Sequence, residues 1–523
     1  MSRLGANKDN KNYFSNTEEI FNLTKMLLTE IYSKEISDVG LDLLYNGPSS
    51  LLDIQSRLKL SFEDIRNYLI IMLQNNVIKK SNISPYDSKS TSYELNTGQI
   101  LNILLFPRTL NFIEKKYGTY AKMIFEQFIE YGVLTLEQIV EQIQNEKKNG
   151  MGNNSELIKS EIIELFIKLY EDNIVMYSER AIDDECYYSP IVRSNNSITN
   201  KKEIKKEKKD KKKTMEKKGK SNKKKKIDKD EIRNRNIKLN EEEDEEEEGK
   251  ANVLDSADKD HNEKNIKNYE EFYENNTKNN MHFYINFEQI KAEFKSEIII
   301  DYINKNISHP AAIIVGELLK KHKITTFAQG MSQNIHIDYI AKTYKSISFN
   351  QIEEIIKNNN EIFIKTSEDE IFLDLSKIKK DIKSKVIENM IITKFTKEHF
   401  RVYNLLKLVG SLDQKNIMDL CLIIPKKVNS ILNQLFQGGF IKTDTVDFNG
   451  SNMLFYSVDD YQTTENILNM DFKIINNYKL YYNDQLKNIK NKFKGEAKLK
   501  EDSIKLTYII DQICENILIM KYF

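Results

Sequence analysis

Two short stretches of the chain carry basic, amide and hydroxyl side chains that could contact the phosphates and base edges of nucleic acid. In the C-terminal half these candidates are Lys426, Lys427, Asn429, Ser430 and Asn433. Near the N-terminus they are Lys59, Arg66 and Asn67, with Glu63 and Asp64 beside them. Lysine and arginine neutralise phosphates, and short polar side chains can reach base edges. Because neither stretch is strongly basic, we expect weak, largely non-specific DNA binding.

The residue types that usually perform catalysis do not form a recognisable motif. The six histidines are scattered, and none has the H-E-x-x-H spacing of a zinc helix; they are His261, His282, His309, His322, His336 and His399. The sequence has no phosphate-binding P-loop, no dinucleotide-binding glycine motif and no nucleophile elbow. Adjacent carboxylates such as Glu353 and Glu354 fall on an expected exposed helix face. The sequence therefore predicts no enzyme, cofactor or metal site.

The C-terminal candidates lie in a segment whose apolar spacing predicts three helices and then a hairpin. Its third helix has apolar residues at offsets 0, 3, 4, 7 and 8, namely Val428, Ile431, Leu432, Leu435 and Phe436. Gly438 and Gly439 end that helix, and two strands follow around Asn449 and Gly450. This order is typical of a winged helix, whose third helix can enter the major groove of DNA.

The same pattern recurs along the chain. Stripes with identical offsets begin at Ile65 and at Ile162, each followed by an apolar pair at offsets 12 and 13. The strands predicted for their hairpins are Val77–Lys79 with Thr91–Leu95, and Ile174–Tyr177 with Cys186–Val192. A weaker stripe begins at Phe349, before Ile362–Lys365 and Ile371–Leu375. We therefore predict four tandem winged helices, each with a small β-hairpin.

A charged segment separates the second and third predicted units. Lysine-rich sequence from Lys201 to Lys229 meets an acidic block from Glu241 to Glu248. This composition offers too little apolar surface to form a core, so we expect residues 194–281 to be disordered. Its basic clusters fit either a nuclear localisation signal or a solvated insertion, and the sequence does not decide between them.

After residue 459 the pattern changes to two helical stripes without a hairpin. One begins at Ile467 and the other at Leu506, which predicts an antiparallel helical hairpin or coiled coil. A partner-binding role and a bracing role both remain open for it. The complete prediction is a mainly α protein with these divisions: 1–17 disordered tail, 18–98, 99–193, 282–376 and 377–459 winged helices, 194–281 charged linker, and 460–523 helical hairpin.

Overall composition is consistent with several intracellular domains. The 523 residues include 79 basic and 79 acidic side chains, so the charges balance overall while segregating locally. Three distant cysteines offer neither a disulfide framework nor a zinc ribbon; they are Cys186, Cys421 and Cys514. No apolar run is long enough for a transmembrane helix, and the first residues lack the apolar core of a signal peptide. We expect a soluble intracellular protein.

Three stretches resemble a known family. Ile100–Leu136 contains Phe-Pro-Arg, a Tyr-Gly pair and an apolar helix that ends at Gly132; His282–Ile303 is aromatic-rich; and His399–Phe436 contains Ile-Pro-Lys before its last helix. In this order, and with the charged linker between the second and third units, they are similar to subunit three of RNA polymerase III. That family is related to the large subunit of transcription factor IIE.

The resemblance implies a non-catalytic subunit in the nucleus. Members work in the initiation heterotrimer beside two smaller subunits and the polymerase clamp, help recruit the enzyme to transfer RNA and 5S RNA genes, and support opening of promoter DNA. The predicted C-terminal helices are shorter than the family pattern, which leaves the extent of a coiled-coil contact open. The competing hypothesis is a winged-helix scaffold of the cullin or proteasome-lid kind. A sequence-specific transcription factor is disfavoured by the weakly basic third helices.

Overall fold

The computed structural model is mainly helical, with four small antiparallel sheets of three strands each. It describes residues 17–84, 87–148, 155–178, 272–273, 276, 281–320, 323–332, 334–344, 347–366, 369–448, 451–490 and 496–523. The predicted class, helices with small β-hairpins, is confirmed. The tail at 1–16 and nearly all of the linker at 194–281 lie outside the described residues. Within the described ranges, no helix is long and apolar enough to cross a membrane.

The first sheet unit follows the prediction closely. Its elements are α1 (Thr17–Ile31), α2 (Lys34–Asn46), β1 (Ser49–Ser50), α3 (Leu51–Leu58), α4 (Phe62–Gln74), β2 (Ile78–Ser84) and β3 (Asp87–Leu95). Ser50 and Ser61 begin α3 and α4 by accepting hydrogen bonds from backbone N–H groups of the first turn. The apolar stripe of α4 is buried at Ile65, Leu69 and Met72. The opposite face of α4 therefore points outward.

The second sheet unit is completed by a strand that lies far along the chain. Its elements are α5 (Thr97–Leu101), a 3₁₀ turn (Asn102–Leu105), α6 (Phe106–Tyr117), α7 (Thr119–Tyr131), β4 (Leu134–Thr135), α8 (Leu136–Lys148), α9 (Ser155–Glu171), β5 (Val175–Tyr177) and β6 (His282–Ile285). β6 pairs with both β4 and β5. The sequence-based prediction instead paired Ile174–Tyr177 with Cys186–Val192, which lies outside the described residues, and began the third unit at His282.

The physical reason for this difference is the apolar character of β6. Phe283 and Ile285 are buried, and Phe283 lies between strands β4 and β5 with its ring against Phe166 at 4.9 Å. Residues 178–281 therefore connect two neighbouring strands of one sheet. The charged segment is an insertion in the hairpin of the second unit, where the prediction had a linker between two units.

The third and fourth sheet units follow. The third contains α10 (Phe287–Asn306), α11 (His309–Leu318), α12 (Lys323–Gln329), β7 (Ile335–His336), α13 (Ile337–Thr343), α14 (Phe349–Asn358), β8 (Phe363–Lys365) and β9 (Glu370–Leu373). The fourth contains α15 (Leu375–Lys394), α16 (Lys397–Val409), β10 (Leu412–Asp413), α17 (Gln414–Cys421), α18 (Pro425–Gln437), β11 (Lys442–Phe448) and β12 (Ser451–Ser457). Each of these two sheets places its last strand in the centre.

Backbone angles support the repeat. Asn76, Asn173 and Gly439 occupy the same position after the third helix of the first, second and fourth units, and all three have a positive φ, of 55°, 56° and 71°. Glycine and asparagine are the residues that adopt this left-handed conformation most readily. The sequence therefore encodes the same reversal of direction three times. The number of winged helices and their exact boundaries stay predictions.

The two C-terminal helices pack against the N-terminal end of the chain. α19 (Asp460–Lys490) and α20 (Glu496–Tyr522) pack on each other, and α19 also packs on α1. Asn476 donates a hydrogen bond to the backbone oxygen of Glu19 at 3.0 Å, and Lys479 pairs with Glu30 at 2.7 Å. These contacts favour the bracing role among the two that the sequence left open.

Gly132 lies against the backbone of Gln74 in the first unit, and this gives a direct test of how the first and second units pack. Its φ is +80°, and a Cβ atom there would lie 2.8 Å from the carbonyl carbon of Gln74. Gly47 also has a positive φ, of +74°, but among the described residues no atom lies within 4 Å of the position that its Cβ would occupy.

We expect Gly47→Ala to cost about 1–3 kcal/mol of stability from backbone strain alone. Gly132→Ala should cost about 2 kcal/mol more, because the backbone of Gln74 must move. Urea unfolding of both variants measures the difference, and equal losses would contradict the packing.

Candidate nucleic-acid interface

The third helix of the fourth unit, α18, presents all five predicted side chains to solvent. Its first residue is Pro425, whose fixed φ suits a helix start. The buried stripe contains Val428, Ile431, Leu432 and Leu435, so the remaining positions point outward. Exposed on that face are Lys426, Lys427, Asn429, Ser430 and Asn433. The structure therefore brings these residues together on one helix.

The charge on this face is smaller than the sequence suggested. The Nζ atom of Lys427 lies 2.7 Å from a carboxylate oxygen of Glu398 on α16, and this hydrogen bond lowers the pKa of Glu398. The adjoining hairpin carries exposed Asp444 and Asp447 on β11. Carboxylates repel phosphates, so this wing does not suit a DNA backbone.

The third helix of the first unit, α4, has more exposed basic side chains around it that could contact a phosphate. Arg66 and Asn67 are exposed on α4, and Lys59 is exposed in the turn before it, where its φ is 54°. Lys79 and Lys80 are also exposed, on strand β2 of the wing. The predicted strand Val77–Lys79 includes one of these two lysines, and a Lys-Lys pair beside a predicted wing is a signal for phosphate contact that the sequence contains.

The turns before the two third helices differ in chemistry. Val428 occupies the position of Ile65, so Leu420, Leu422 and Ile424 stand where the first unit has Arg57, Lys59 and Ser61. These three apolar side chains are 59%, 89% and 70% exposed. Exposed apolar residues that cluster at the end of α17 and in the turn after it are typical of a protein contact rather than of a phosphate contact. The first unit therefore has the more basic turn, with Glu63 and Asp64 exposed at the start of α4, and the fourth suits a protein surface.

A cleft beside α6 and α10 has a volume of about 1260 Å³. Its lining contains both signs of charge, and Lys116 pairs with two carboxylates of the same lining. Lys116 lies 3.5 Å from Glu293 and 3.9 Å from Asp172, and the hydroxyl of Tyr117 donates to Asp172 at 2.5 Å. Burial and this hydrogen bond raise the pKa of Tyr117. The cleft is therefore neutralised internally, and it offers an anion little.

Metal ligation has no support among the residues that the structure describes, where no three His, Cys, Asp or Glu side chains converge. Cys421 and Cys514 are both buried free thiols. Burial, followed by the nearby Asp511 carboxylate, raises the pKa of Cys514 to about 12. A thiol in this state is a poor nucleophile and a poor metal ligand.

Comparison with known proteins supplies the family. A model described as RNA polymerase III subunit RPC82 matches residues 164–390, and a model described as POLR3C, C-terminal winged-helix domain, matches residues 387–452. DNA-directed RNA polymerase III subunit RPC3 of Danio rerio is 18% identical over 477 residues, covering 88% of this chain and 83% of that protein. The Rattus norvegicus subunit of the same name is 19% identical over 443 residues, covering 82% and 76%.

The chain belongs to the RPC3 family of RNA polymerase III subunits. The winged-helix match at 387–452 covers the fourth unit from α15 to β12. The longer match begins within α9 and ends within α15, so it spans β5, the charged insertion and β6. The family likeness that the sequence motifs indicated is thereby confirmed.

Proposed function

We propose that this chain is a non-catalytic subunit of RNA polymerase III that works in the initiation heterotrimer. The observation that carries this proposal is the extent of the family match, which runs from residue 164 to residue 452 with relatives that cover more than four fifths of the chain. In this role the chain helps recruit the enzyme to transfer RNA and 5S RNA genes and helps open promoter DNA. It uses no cofactor of its own and works in the nucleus.

The exposed surfaces of the first and fourth units support two kinds of contact, one with protein and one with DNA. The exposed Leu420, Leu422 and Ile424 fit a docking contact with another polymerase subunit. The partners are two smaller heterotrimer subunits and the clamp of the largest subunit. Residues in and just before the third helices of the first and fourth units contact DNA weakly and without sequence preference; they are Lys59, Arg66, Asn67, Lys426, Lys427, Asn429, Ser430 and Asn433.

Chromatin occupancy tests the genomic part of this proposal. Immunoprecipitation of the tagged chain should enrich transfer RNA and 5S RNA genes, because a subunit required for recruitment is present wherever the polymerase initiates. Promoters of protein-coding genes are the internal control and should stay at background. Equal enrichment at both classes of promoter would contradict the proposal.

A further inference from the structure

Four lysines converge where α10, α12, α15 and the end of α20 meet. We call Lys291, Lys295, Lys379 and Lys383 the lysine cluster. Lys291 and Lys295 are one turn apart on α10, and Lys379 and Lys383 are one turn apart on α15. Lys521 of α20 lies at the rim. The pair on α10 and the pair on α15 are far apart in sequence, so the fold brings the two pairs together.

Aromatic rings hold the ammonium groups in place. The Nζ atom of Lys295 lies 5.3 Å from the ring centre of Phe327 and 5.4 Å from that of Tyr522. Lys379 shares the ring of Phe327 at 5.9 Å, and Lys291 shares the ring of Tyr522 at 4.9 Å. Cation–π contacts of this length fix the charges without neutralising them. The side chains are thus partly ordered before any ligand arrives, which reduces the entropy lost on binding.

The four lysines face three carboxylates: Glu288 lies near Lys291 and Lys295, Asp374 near Lys379, and Asp460 near Lys383. The cluster therefore keeps a net positive charge. Lys291 pairs with Glu288 at 2.9 Å, whereas Lys379 donates to the neutral backbone oxygen of Phe327 at 3.0 Å. Burial, opposed by Glu288 and reinforced by Lys379 and Lys291, lowers the pKa of Lys295. Burial and the charge of Lys383 lower the pKa of Lys379. A negatively charged ligand would relieve this repulsion.

We propose that the lysine cluster binds the sugar-phosphate backbone of nucleic acid. The inference rests on the proposed function, since a subunit that acts at promoters meets DNA, and it names a contact outside the third helices. The half-buried Lys295, Lys379 and Lys383 act as point charges toward phosphate oxygens, whereas bidentate recognition of carboxylates favours arginine. Lys291 is 4% exposed and paired with Glu288, so it adds positive charge beneath them without a direct contact. Such contacts position a backbone and do not select a base sequence. The site is denser in charge than α18, where Lys427 is already paired with Glu398.

Fluorescence anisotropy with the purified full-length chain tests this site. The probes are a labelled 30-nucleotide single strand and the matching duplex, each titrated at several salt concentrations. The test variant combines Lys295→Gln with Lys379→Gln. The comparison variant combines Lys305→Gln with Lys357→Gln, two exposed lysines outside the cluster and outside the third-helix candidates. We expect the test variant to bind the preferred probe about tenfold more weakly and to reduce the salt slope by about 1.4 on a single strand or 1.8 on a duplex. The comparison variant should lose less than about threefold.

A crosslinking measurement keeps the test independent of how well the variant folds. Photocrosslinking of the wild-type chain to the same probes should recover peptides of α10 and α15. Unchanged affinity and slope in the folded test variant, or crosslinks confined to α4 and α18, would overturn the site. A third probe is labelled poly-glutamate. If the test variant lost poly-glutamate binding but kept DNA binding, the ligand would be an acidic peptide and the proposal would be overturned. Because the assay uses bare nucleic acid, its failure leaves membership of the polymerase untouched.

Discussion

Replacing Phe283 with alanine should lower the free energy of unfolding by about 3–5 kcal/mol, the range for removing a fully buried phenylalanine. Phe283 is 1% exposed in the central strand of the second sheet. Its ring contacts those of Phe166, Tyr170 and Tyr177 at 4.9, 5.9 and 6.3 Å. The truncation therefore removes both buried area and three edge-to-face contacts. Urea unfolding followed by circular dichroism measures the loss.

The neighbouring Tyr284 provides the matched control. It lies on the same strand with its side chain only partly buried, on the opposite face from Phe283. Tyr284→Ala should therefore cost clearly less, about 1 kcal/mol or below. If Phe283→Ala were no more costly than Tyr284→Ala, β6 would not complete the second sheet, and the charged segment would again be a linker between units.

Stability should also fall as pH rises toward neutrality, because of one carboxyl in α19. Asp471 is 1% exposed, and one of its carboxyl oxygens has no hydrogen-bond partner among the described residues. Burial raises its pKa from 3.8 to about 7. The folded protein thus holds this proton more tightly than the unfolded chain does. Its contribution to stability is complete below pH 3.8 and is lost as pH rises toward 7.

The expected size of this effect is about 2–3 kcal/mol between pH 5 and pH 8. Asp471→Asn removes the titrating group, so the variant should lack this loss and gain stability relative to wild type as pH rises. Asp484→Asn, at an exposed position of the same helix, should leave the pH dependence unchanged. The test is to measure the unfolding free energies of wild type, Asp471→Asn and Asp484→Asn between pH 5 and pH 8. Parallel curves for wild type and Asp471→Asn would show that Asp471 is not buried in its neutral form.

Local structure was predictable wherever neighbouring residues determine it. The stripes beginning at Ile65 and Val428 correspond to α4 and α18, because a period of 3.6 residues directs one face to the core. The glycines after α7 and α16 end those helices with a positive φ, as their position predicted. Helix starts and stops depend on residues within a few positions, so a single sequence contains that information.

Long-range pairing was not predictable in the same way. The sequence His-Phe-Tyr-Ile is typical of a strand, but nothing in it specifies a partner more than 100 residues earlier. The nearer apolar run, Cys186–Val192, was the simpler choice because short hairpins are more common than long connections. The lysine cluster has the same property, since Lys295, Phe327, Lys379 and Tyr522 come from four separate elements. The exposed face of α18 was predictable, but the pairing of Lys427 with Glu398 depends on how α16 packs and was not.

The central claim is that this chain works as part of RNA polymerase III, and affinity purification from nuclear extract tests it most directly. The tagged chain should recover the core subunits of that polymerase in near-stoichiometric amounts, together with the two smaller heterotrimer subunits, as measured by quantitative mass spectrometry. Recovery of a ubiquitin-ligase or proteasome-lid complex without polymerase subunits would contradict the account.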